Sequence, residues 1–557
     1  MQIKDKRVIV TGAASDVGLA FSRELLRNGA LMIVMIDIKQ WIGEQAVESL
    51  NNEFGRKRTV FLCCDVTNNS EFDTKLKEAI NILGGLDILI NNAGVINEID
   101  FSKAIDVNVT AVIRGTLLGI QQMRKDSGGK GGIIVNISSI AGLRAVSQLP
   151  VYSATKHAVV SFSRSFAQPY HYERTNVKVI VLCPDLIDIP EDISQNISNI
   201  NSLQNDRHHS FTPKNLNRKL VHFFISPNIQ SSFIHGEYKP RLRMIRRRSS
   251  ASERAKEIEA INCIVSGKNV LITGGAAGLG YAFLNHFLKH GAKKIIILDI
   301  DAETGKRIEL GVEKSCGEKK VHFIHTDVSN HKHVTEAFEE ASTLLGNIDI
   351  VINNAGVLDE RRWEKEISVN IGGMVSTAML AVQYMSRDTG GHGGILVNVS
   401  QHVDIRNTAQ LPVYTATKHA IIGLSQSLSD PYHYEKTGVT VITLCPGLTE
   451  TALTVDSPNK LLSRVMKADF VKNLEQFLIQ TPYIVAQGLM TILRIGESGS
   501  IWVIESGKAP YEVYVPNPRT LRRHYKNNFP HVDTKVAGGR AIREVCDSTR
   551  TGLMSCA

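Results

Sequence analysis

The stretch NVLITGGAAGLGYAFLNHFLKHGAKKIIILD, residues 269–299, decides the fold. Asn269–Ile272 is a short apolar run, long enough for a strand and too short for a helix. Thr273-Gly274-Gly275-Ala276-Ala277-Gly278-Leu279-Gly280 follows, with the spacing Thr-Gly-x-x-x-Gly-x-Gly. Gly280–His290 then reads as a helix, and Lys294–Leu298 as a second apolar strand ending at Asp299. A helix that starts directly after a strand points unpaired backbone N–H groups, and the positive end of its dipole, at whatever lies on its N-terminus. Glycines there let a pyrophosphate approach the backbone. A carboxylate ending the next strand accepts hydrogen bonds from ribose 2′- and 3′-hydroxyls and repels a 2′-phosphate. Asp299 therefore reads as a choice of NAD over NADP.

Outward from this stretch the sequence repeats itself. Thr11-Gly12, Asp37, Asn91-Asn92-Ala93-Gly94, Tyr152, Lys156 and Cys183-Pro184 all recur 262 residues later. The copies are Thr273-Gly274, Asp299, Asn353-Asn354-Ala355-Gly356, Tyr414, Lys418 and Cys445-Pro446. A constant offset over that span argues for duplication, with loop lengths set by one kind of sheet. Short apolar segments alternate with helical ones in both copies, through Leu31–Ile36, Thr59–Cys63, Asp87–Ile90, Gly132–Ile137 and Val177–Leu182 in the first. That alternation predicts an α/β fold: two tandem doubly wound parallel-sheet domains of the Rossmann type. After Pro184 the copies diverge. The second continues to a final strand near residues 499–505, whereas residues 237–243 of the first, Glu-Tyr-Lys-Pro-Arg-Leu-Arg, make a poor one. The expected organisation is an incomplete first domain over residues 1–190, a basic polar linker over 191–262, a complete second domain over 263–515 and a tail over 516–557.

The first copy departs from its partner inside the glycine loop. Thr11-Gly12-Ala13-Ala14-Ser15-Asp16-Val17-Gly18 places Asp16 where the second copy has Gly278. A carboxylate facing a pyrophosphate opposes binding, so cofactor affinity is expected to be weaker in the first copy.

The chemistry centres on Tyr152-x-x-x-Lys156 and Tyr414-x-x-x-Lys418, which open predicted helices after Pro150 and Pro412. A spacing of four puts both side chains on one helical face. An ammonium beside a phenol favours the phenolate, as a general base requires. With the glycine loop, the acidic strand end and Asn-Asn-Ala-Gly at these intervals, the chain resembles the short-chain dehydrogenase/reductase family over about 1–190 and 265–515. Gly115–Gly119, Gly128–Gly142 and Gln148–His157 carry much of the likeness.

The resemblance implies cofactor contacts at Gly12, Gly18, Asp37, Asp65, Val66 and Asn92 in the first copy. In the second it implies Gly274, Gly278, Leu279, Gly280, Asp299, Asp327, Val328, Asn354, Tyr414, Lys418 and Pro446. It further implies that Asn108 and Asn370 anchor a water in a proton relay, and that a serine lies 13 residues before the tyrosine. That serine is Ser139 in the first copy. The second has Gln401 there, with Ser400 one residue short, and a one-residue step on a strand turns a side chain to the opposite face. The implied catalytic sets are Asn108, Ser139, Tyr152 and Lys156, and Asn370, Tyr414 and Lys418.

Apolar residues at 43% and charged residues at 21% suit a globular protein, and no apolar run is long enough to span a membrane. Much of the net charge of +9 is local, with Arg241, Arg243, Arg246, Arg247, Arg248 and Arg254 in the linker, so no nucleic-acid partner is expected. The eight cysteines show no C-x-x-C or metal-ligand spacing. They read as reduced thiols of a cytoplasmic protein without a metal. Two functional readings stand side by side. One is an NAD-dependent oxidoreductase acting on a lipophilic secondary alcohol or ketone. The other is a nucleotide-binding scaffold with little turnover. Helices beginning near Lys103 and Val151 pair between subunits in many relatives, which predicts an intrachain pseudo-dimer or a homo-oligomer.

Overall fold

The computed structural model describes residues 3–184, 264–401 and 408–514, and for Asp16 the backbone only. The expected linker, the tail, Asp185 and the 237–243 segment lie outside them. In the first copy the strands are β1 (Arg7–Thr11), β2 (Met32–Asp37), β3 (Thr59–Cys63), β4 (Ile88–Asn91), β5 (Gly132–Ile137) and β6 (Val177–Leu182). The helices are α1 (Asp16–Arg27), α2 (Gln40–Phe54), α3 (Asn69–Leu83), α4 (Phe101–Ile105), α5 (Ala111–Met123), α6 (Pro150–Phe166) and α7 (Pro169–Thr175). All pairings are parallel, in the order β3-β2-β1-β4-β5-β6.

The second copy repeats this frame with β7 (Asn269–Thr273), β8 (Lys294–Asp299), β9 (Val321–His325), β10 (Ile350–Asn353), β11 (Gly394–Val399) and β12 (Val439–Pro446). It adds parallel β13 (Ile501–Ile504) and antiparallel β14 (Tyr511–Val513) beyond β12. Its helices are α8 (Gly278–Lys289), α9 (Ala302–Cys316), α10 (His331–Leu345), α11 (Trp363–Ile367), α12 (Met374–Met385), α13 (Pro412–Leu428), α14 (Pro431–Thr437), α15 (Ala452–Val455), α16 (Lys467–Leu474) and α17 (Pro482–Ile495).

Central strands such as Ile295–Leu298 are apolar at every position because helices cover both faces of a parallel sheet. Strand order reverses between β1 and β4, and between β7 and β10, and the crevice at such a switch point is where ligands bind in this architecture. The expected final strand is β13. The two helices after the glycine loops start at Asp16 and Gly278, two residues earlier than expected.

The copies share one core. Val151, Ala154, Ala158, Phe162 and Phe166 of α6 recur as Val413, Ala416, Ala420, Leu424 and Leu428 of α13, and all ten lie in one buried cluster that spans both sheets. Burying such side chains contributes roughly 1.5–3 kcal/mol for each large one. This packing of α6 on α13 joins the two copies within one chain. Arg114 of α5 reinforces it, donating to Glu364 at 2.7 Å while its guanidinium lies 5.3 Å from the centre of the Trp363 ring.

The pseudo-symmetry breaks where α6 and α13 touch. A Cβ on Gly423 would sit 2.6 Å from Nδ1 of His157, so the small residue makes room for the imidazole. The counterpart position holds Ser161, whose hydroxyl lies 3.0 Å from Nδ1 of His419.

Candidate active sites at the two switch points

The glycine loops are built by close approach. A Cβ on Gly280 would fall 1.9 Å from the Gly274 carbonyl oxygen, and Gly18 stands in the same relation to Gly12, at 2.2 Å. Gly278 has φ +50, a conformation that favours glycine. The helix starts differ too. In the first copy Ser15 Oγ accepts from Gly18 N at 3.3 Å and donates to the Gly12 carbonyl at 2.6 Å. In the second the N-cap is Ala277, with no side-chain cap, which leaves the first N–H groups of α8 open to an external anion. This cradle fits a dinucleotide pyrophosphate in the second copy better than in the first.

Asp37 and Asp299 take their expected places. Each carboxylate accepts at 2.9 Å from a loop amide, Ala14 N or Ala276 N, and with its other oxygen from the amide two residues on. Asp65 and Asp327 hold the turns after β3 and β9 through Thr67 and Ser329. Asp327 also meets Lys365 Nζ at 3.2 Å. Val66 and Val328 are buried, and Leu279 packs partly buried in the core under α8. Pro446 ends β12, beside Ile504. The carboxamides of Asn92 and Asn354 donate to the carbonyls of Thr11 and Gly12, and of Thr273 and Gly274. Their side chains are thus braces of the glycine loops.

Asn108 and Asn370 are fully buried in π-helical turns, Asp106–Thr110 and Ser368–Gly373. Each carboxamide exchanges two hydrogen bonds of 2.8 Å with the backbone N–H and C=O of one residue, Val95 or Val357, and donates to Thr155 or Thr417 at 3.2 Å. The carboxamides are thereby committed to the fold within the widened turns.

Tyr and Lys come together in both copies. Lys156 Nζ lies 5.5 Å from the centre of the Tyr152 ring, and Lys418 Nζ the same distance from that of Tyr414. A Cβ on Gly356 would sit 3.3 Å from Asn370 Oδ1 and 3.4 Å from Lys418 Nζ, which ties Asn-Asn-Ala-Gly, the π-turn and the lysine into one corner. Burial lowers both lysines to about 8. It raises both tyrosines, so the sequence expectation of a phenol lowered by its lysine gives way to burial as the larger effect.

The serine position separates the copies. Ser139 hydrogen-bonds the Tyr152 phenol, which opposes the upward push of burial. Gln401 replaces it, and its Oε1 is buried with no hydrogen-bond partner. Ser400 donates to the Lys418 carbonyl at 2.9 Å, as Ser138 does to that of Lys156, so it faces away as the one-residue step predicted.

Three carboxylates escaped the sequence reading. Glu98 accepts from Val151 N and Tyr152 N, both at 2.8 Å, and Glu360 from Val413 N and Tyr414 N at 3.2 and 2.9 Å. Burial raises them to about 7 and about 8. The signal was there: Leu149 and Leu411 cannot cap a helix, so the N–H groups behind Pro150 and Pro412 needed an outside acceptor. The third, Glu366, occupies the place of Ala104. It is fully buried, accepts from Asp359 N at 2.8 Å and keeps Oε1 unpartnered.

The lid of the second copy is α15 and α16. Phe470 of α16 packs with Tyr414, Leu411, Leu358 and Leu461 in a buried cluster over the tyrosine. Among the described residues no group of His, Cys, Asp and Glu is placed to hold a metal, and no helix is long and apolar enough to cross a membrane.

A family model described as short chain dehydrogenase matches residues 6–199 and 268–461, again 262 apart. The likeness therefore runs past Pro184 in the first copy. Over 190 residues the chain is 39% identical to 15-hydroxyprostaglandin dehydrogenase [NAD(+)] of Mus musculus, covering 34% of this chain and 70% of that enzyme. It is 27% identical over 245 residues to alcohol dehydrogenase 1 of Ceratitis cosyra, covering 44% of this chain and 93% of that one. Among solved structures, the N-domain of a bacterial malonyl-CoA reductase with NADP matches with a TM-score of 0.60 at 15% identity. It covers 82% of this chain and 94% of its own, a likeness of fold that takes in both copies.

Proposed function

The chain belongs to the short chain dehydrogenase family, and from that premise we propose that its second copy is an NAD-dependent oxidoreductase for a lipophilic secondary alcohol or its ketone, prostaglandin-like in character. The observation that supports it most is the corner where Tyr414, Lys418 and Asn370 meet Gly356 beneath an apolar lid. Bound NAD would supply the hydride acceptor. Gly274, Gly278, Leu279 and Gly280 would hold its pyrophosphate, Asp299 its ribose, Asp327 and Val328 its adenine, and Asn354 would keep the loop in shape.

Tyr414 would take the alcohol proton. An ammonium on Lys418 beside its ring would favour the phenolate, opposing the larger upward push of burial and of the Glu366 carboxylate. Glu360 fixes the tyrosine backbone, and Phe470 and Leu411 keep water from the phenol. Because the base must be unprotonated, alcohol oxidation should rise with pH. The same corner in the first copy, with Asn108, Ser139, Tyr152 and Lys156, has the hydroxyl that the second lacks but a capped loop and Asp16. We further propose that residues 1–190 and 263–515 are the two domains, joined by 191–262.

A second reading, a nucleotide-binding scaffold with little turnover, draws on the unpartnered Gln401. NAD binding by the whole chain, followed by NADH formation on a panel of secondary alcohols, separates them. Turnover supports the enzyme, binding without turnover selects the scaffold, and absence of NAD binding sinks both.

A further inference from the structure

We propose that α7 of the first copy is part of the substrate site of the second: Tyr170 and Arg174 hold the lid helix α16 in place, and His171 holds the loop that leads to Tyr414. The substrate side of this inference rests on the reading of the second copy as an alcohol oxidoreductase; the clamp itself does not.

Tyr170 Oη donates to Asp469 Oδ2 at 3.0 Å, and Arg174 Nη2 donates to the same oxygen at 3.0 Å. The Arg174 guanidinium stacks on the Tyr170 ring, 4.2 Å from its centre, so the two donors are fixed as a pair one turn apart. Asp469 and Phe470 are neighbours on α16. Asp469 meets the first copy, while Phe470 is buried against Tyr414 and Leu411. One short helix thus carries both the handle and the roof. The second contact is His171 Nε2, 2.7 Å from the Ala409 carbonyl. A carbonyl only accepts, so Nε2 carries the proton. Both groups are buried, and Ala409 lies two residues before Leu411 of the roof cluster.

Magnitudes say which part matters. The Arg174–Asp469 pair is 40% and 47% exposed, and an exposed pair alone does little. Two donors on one oxygen, with a buried histidine bond one residue away, make a three-point hold on both walls of the pocket.

Among the described residues the lid hold runs in one direction only. His433 of α14 repeats the histidine contact, 2.7 Å from the Ser147 carbonyl of the first copy. Tyr432 and Lys436, the counterparts of Tyr170 and Arg174, bond each other instead, Lys436 Nζ donating to Tyr432 Oη at 2.9 Å. The first copy therefore serves as the wall of its partner's pocket.

The test uses the whole chain. Tyr170→Phe with Arg174→Ala should speed amide hydrogen exchange across residues 467–474 about five- to tenfold, with the thermal midpoint nearly unchanged. The charge exchange Arg174→Asp with Asp469→Arg should restore slow exchange. If exchange in α16 is the same in the double variant as in the parent, the clamp is refuted, whether or not the protein oxidises any alcohol. Where turnover is found, the double variant should raise KM for a lipophilic secondary alcohol several-fold, with NADH affinity and kcat little altered. A fall in kcat at constant KM would overturn the role in substrate closure even if exchange responds.

Discussion

The two copies reproduce each other closely in the frame and in the Tyr–Lys–Asn corner, and differ at a few positions around the two clefts. The hydrogen bonds from the Val95 and Val357 amides to Asn108 and Asn370 are 2.8 Å in both, and both lysines lie 5.5 Å from their tyrosine ring centres. Against that constancy, Ser139 faces Gln401, a Ser15 cap faces an open helix start, and Ala104 faces a buried Glu366. Frame contacts are buried and satisfied on both sides, so a change in one partner strands the other at about 1–3 kcal/mol. Residues that meet a ligand carry no such tie within the fold. Divergence is cheapest there.

The largest expected difference between the copies is in the base. Tyr414→Phe should lower alcohol oxidation at least about 10²-fold, the lower range for losing a general base. Tyr152→Phe should leave it within about twofold. Steady-state rates of the two variants decide this, and equal losses would erase the functional distinction between the copies.

Acid should strike next, and at what the copies share. His157 and His419 at the α6–α13 contact, and His171 of α7, which bonds the loop of the second copy, are all lowered by burial from 6.5 to about 4. A histidine lowered on folding resists protonation only while folded. The stability it gives is complete above about pH 6.5 and is lost as pH falls towards about 4. Each contributes up to ~1.4 kcal/mol per pH unit in that window. Urea midpoints measured across it should fall steeply, and His171→Gln should flatten the slope. A flat profile in the parent would mean that these imidazoles are not held neutral.

Within the second copy, Gln401→Ser restores a short donor beside Tyr414. Removing one such donor from an active site typically costs roughly 10²–10³ in rate. The gain here should be smaller, about tenfold, because the glutamine amide can donate. NAD affinity should not move. No gain, with Tyr414 still essential, would mean that Gln401 already serves.

In the first copy, Asp16→Gly should remove the unfavourable carboxylate from the glycine loop. Any NADH bound there should tighten roughly tenfold, about 1.4 kcal/mol. Titration of the whole chain should then show two sites in place of one. A single site in both proteins would place the block in the Ser15 cap instead.

The parallel sheets, their order and nearly every strand were legible because apolar runs, glycine turns and a 262-residue repeat are local or periodic signals. Tyr152, Lys156, Tyr414 and Lys418 were legible for the same reason, being four apart on one helix. The bonds from Glu98 and Glu360 to the catalytic helices span 53 and 54 residues, and no spacing announces them. The hold of Tyr170 on Asp469 crosses 299 residues. Gln401 was visible as a departure, but its stranded oxygen is a property of packing. Asn92, Asn108 and their counterparts were found as residues, but the bonds their carboxamides make within the fold were not legible, because pattern gives position and not the direction of a carboxamide.

The smallest expected effect lies at the point where the pseudo-symmetry breaks. His419 Nδ1 is 2.9 Å from the Thr415 carbonyl, which can only accept, so Nδ1 carries the proton. The Ser161 hydroxyl, 3.0 Å away, shares that hydrogen as a second acceptor. His157 has the matching bond to the Ser153 carbonyl at 2.8 Å, but Gly423 stands where a hydroxyl would be. Ser161→Gly should therefore make the interface symmetric at the loss of one shared hydrogen bond, about 0.5–1.5 kcal/mol. The reverse change, Gly423→Ser, must place its Cβ 2.6 Å from the His157 ring, and should cost more through overpacking, about 1–3 kcal/mol. Urea midpoints of the two variants measure the difference directly. If Gly423→Ser is the milder change, the helices have room to part, and the glycine is a remnant of the duplication. If Ser161→Gly is the milder, the contact is as tight as it looks, and one copy kept a glycine there so that the other could keep its histidine.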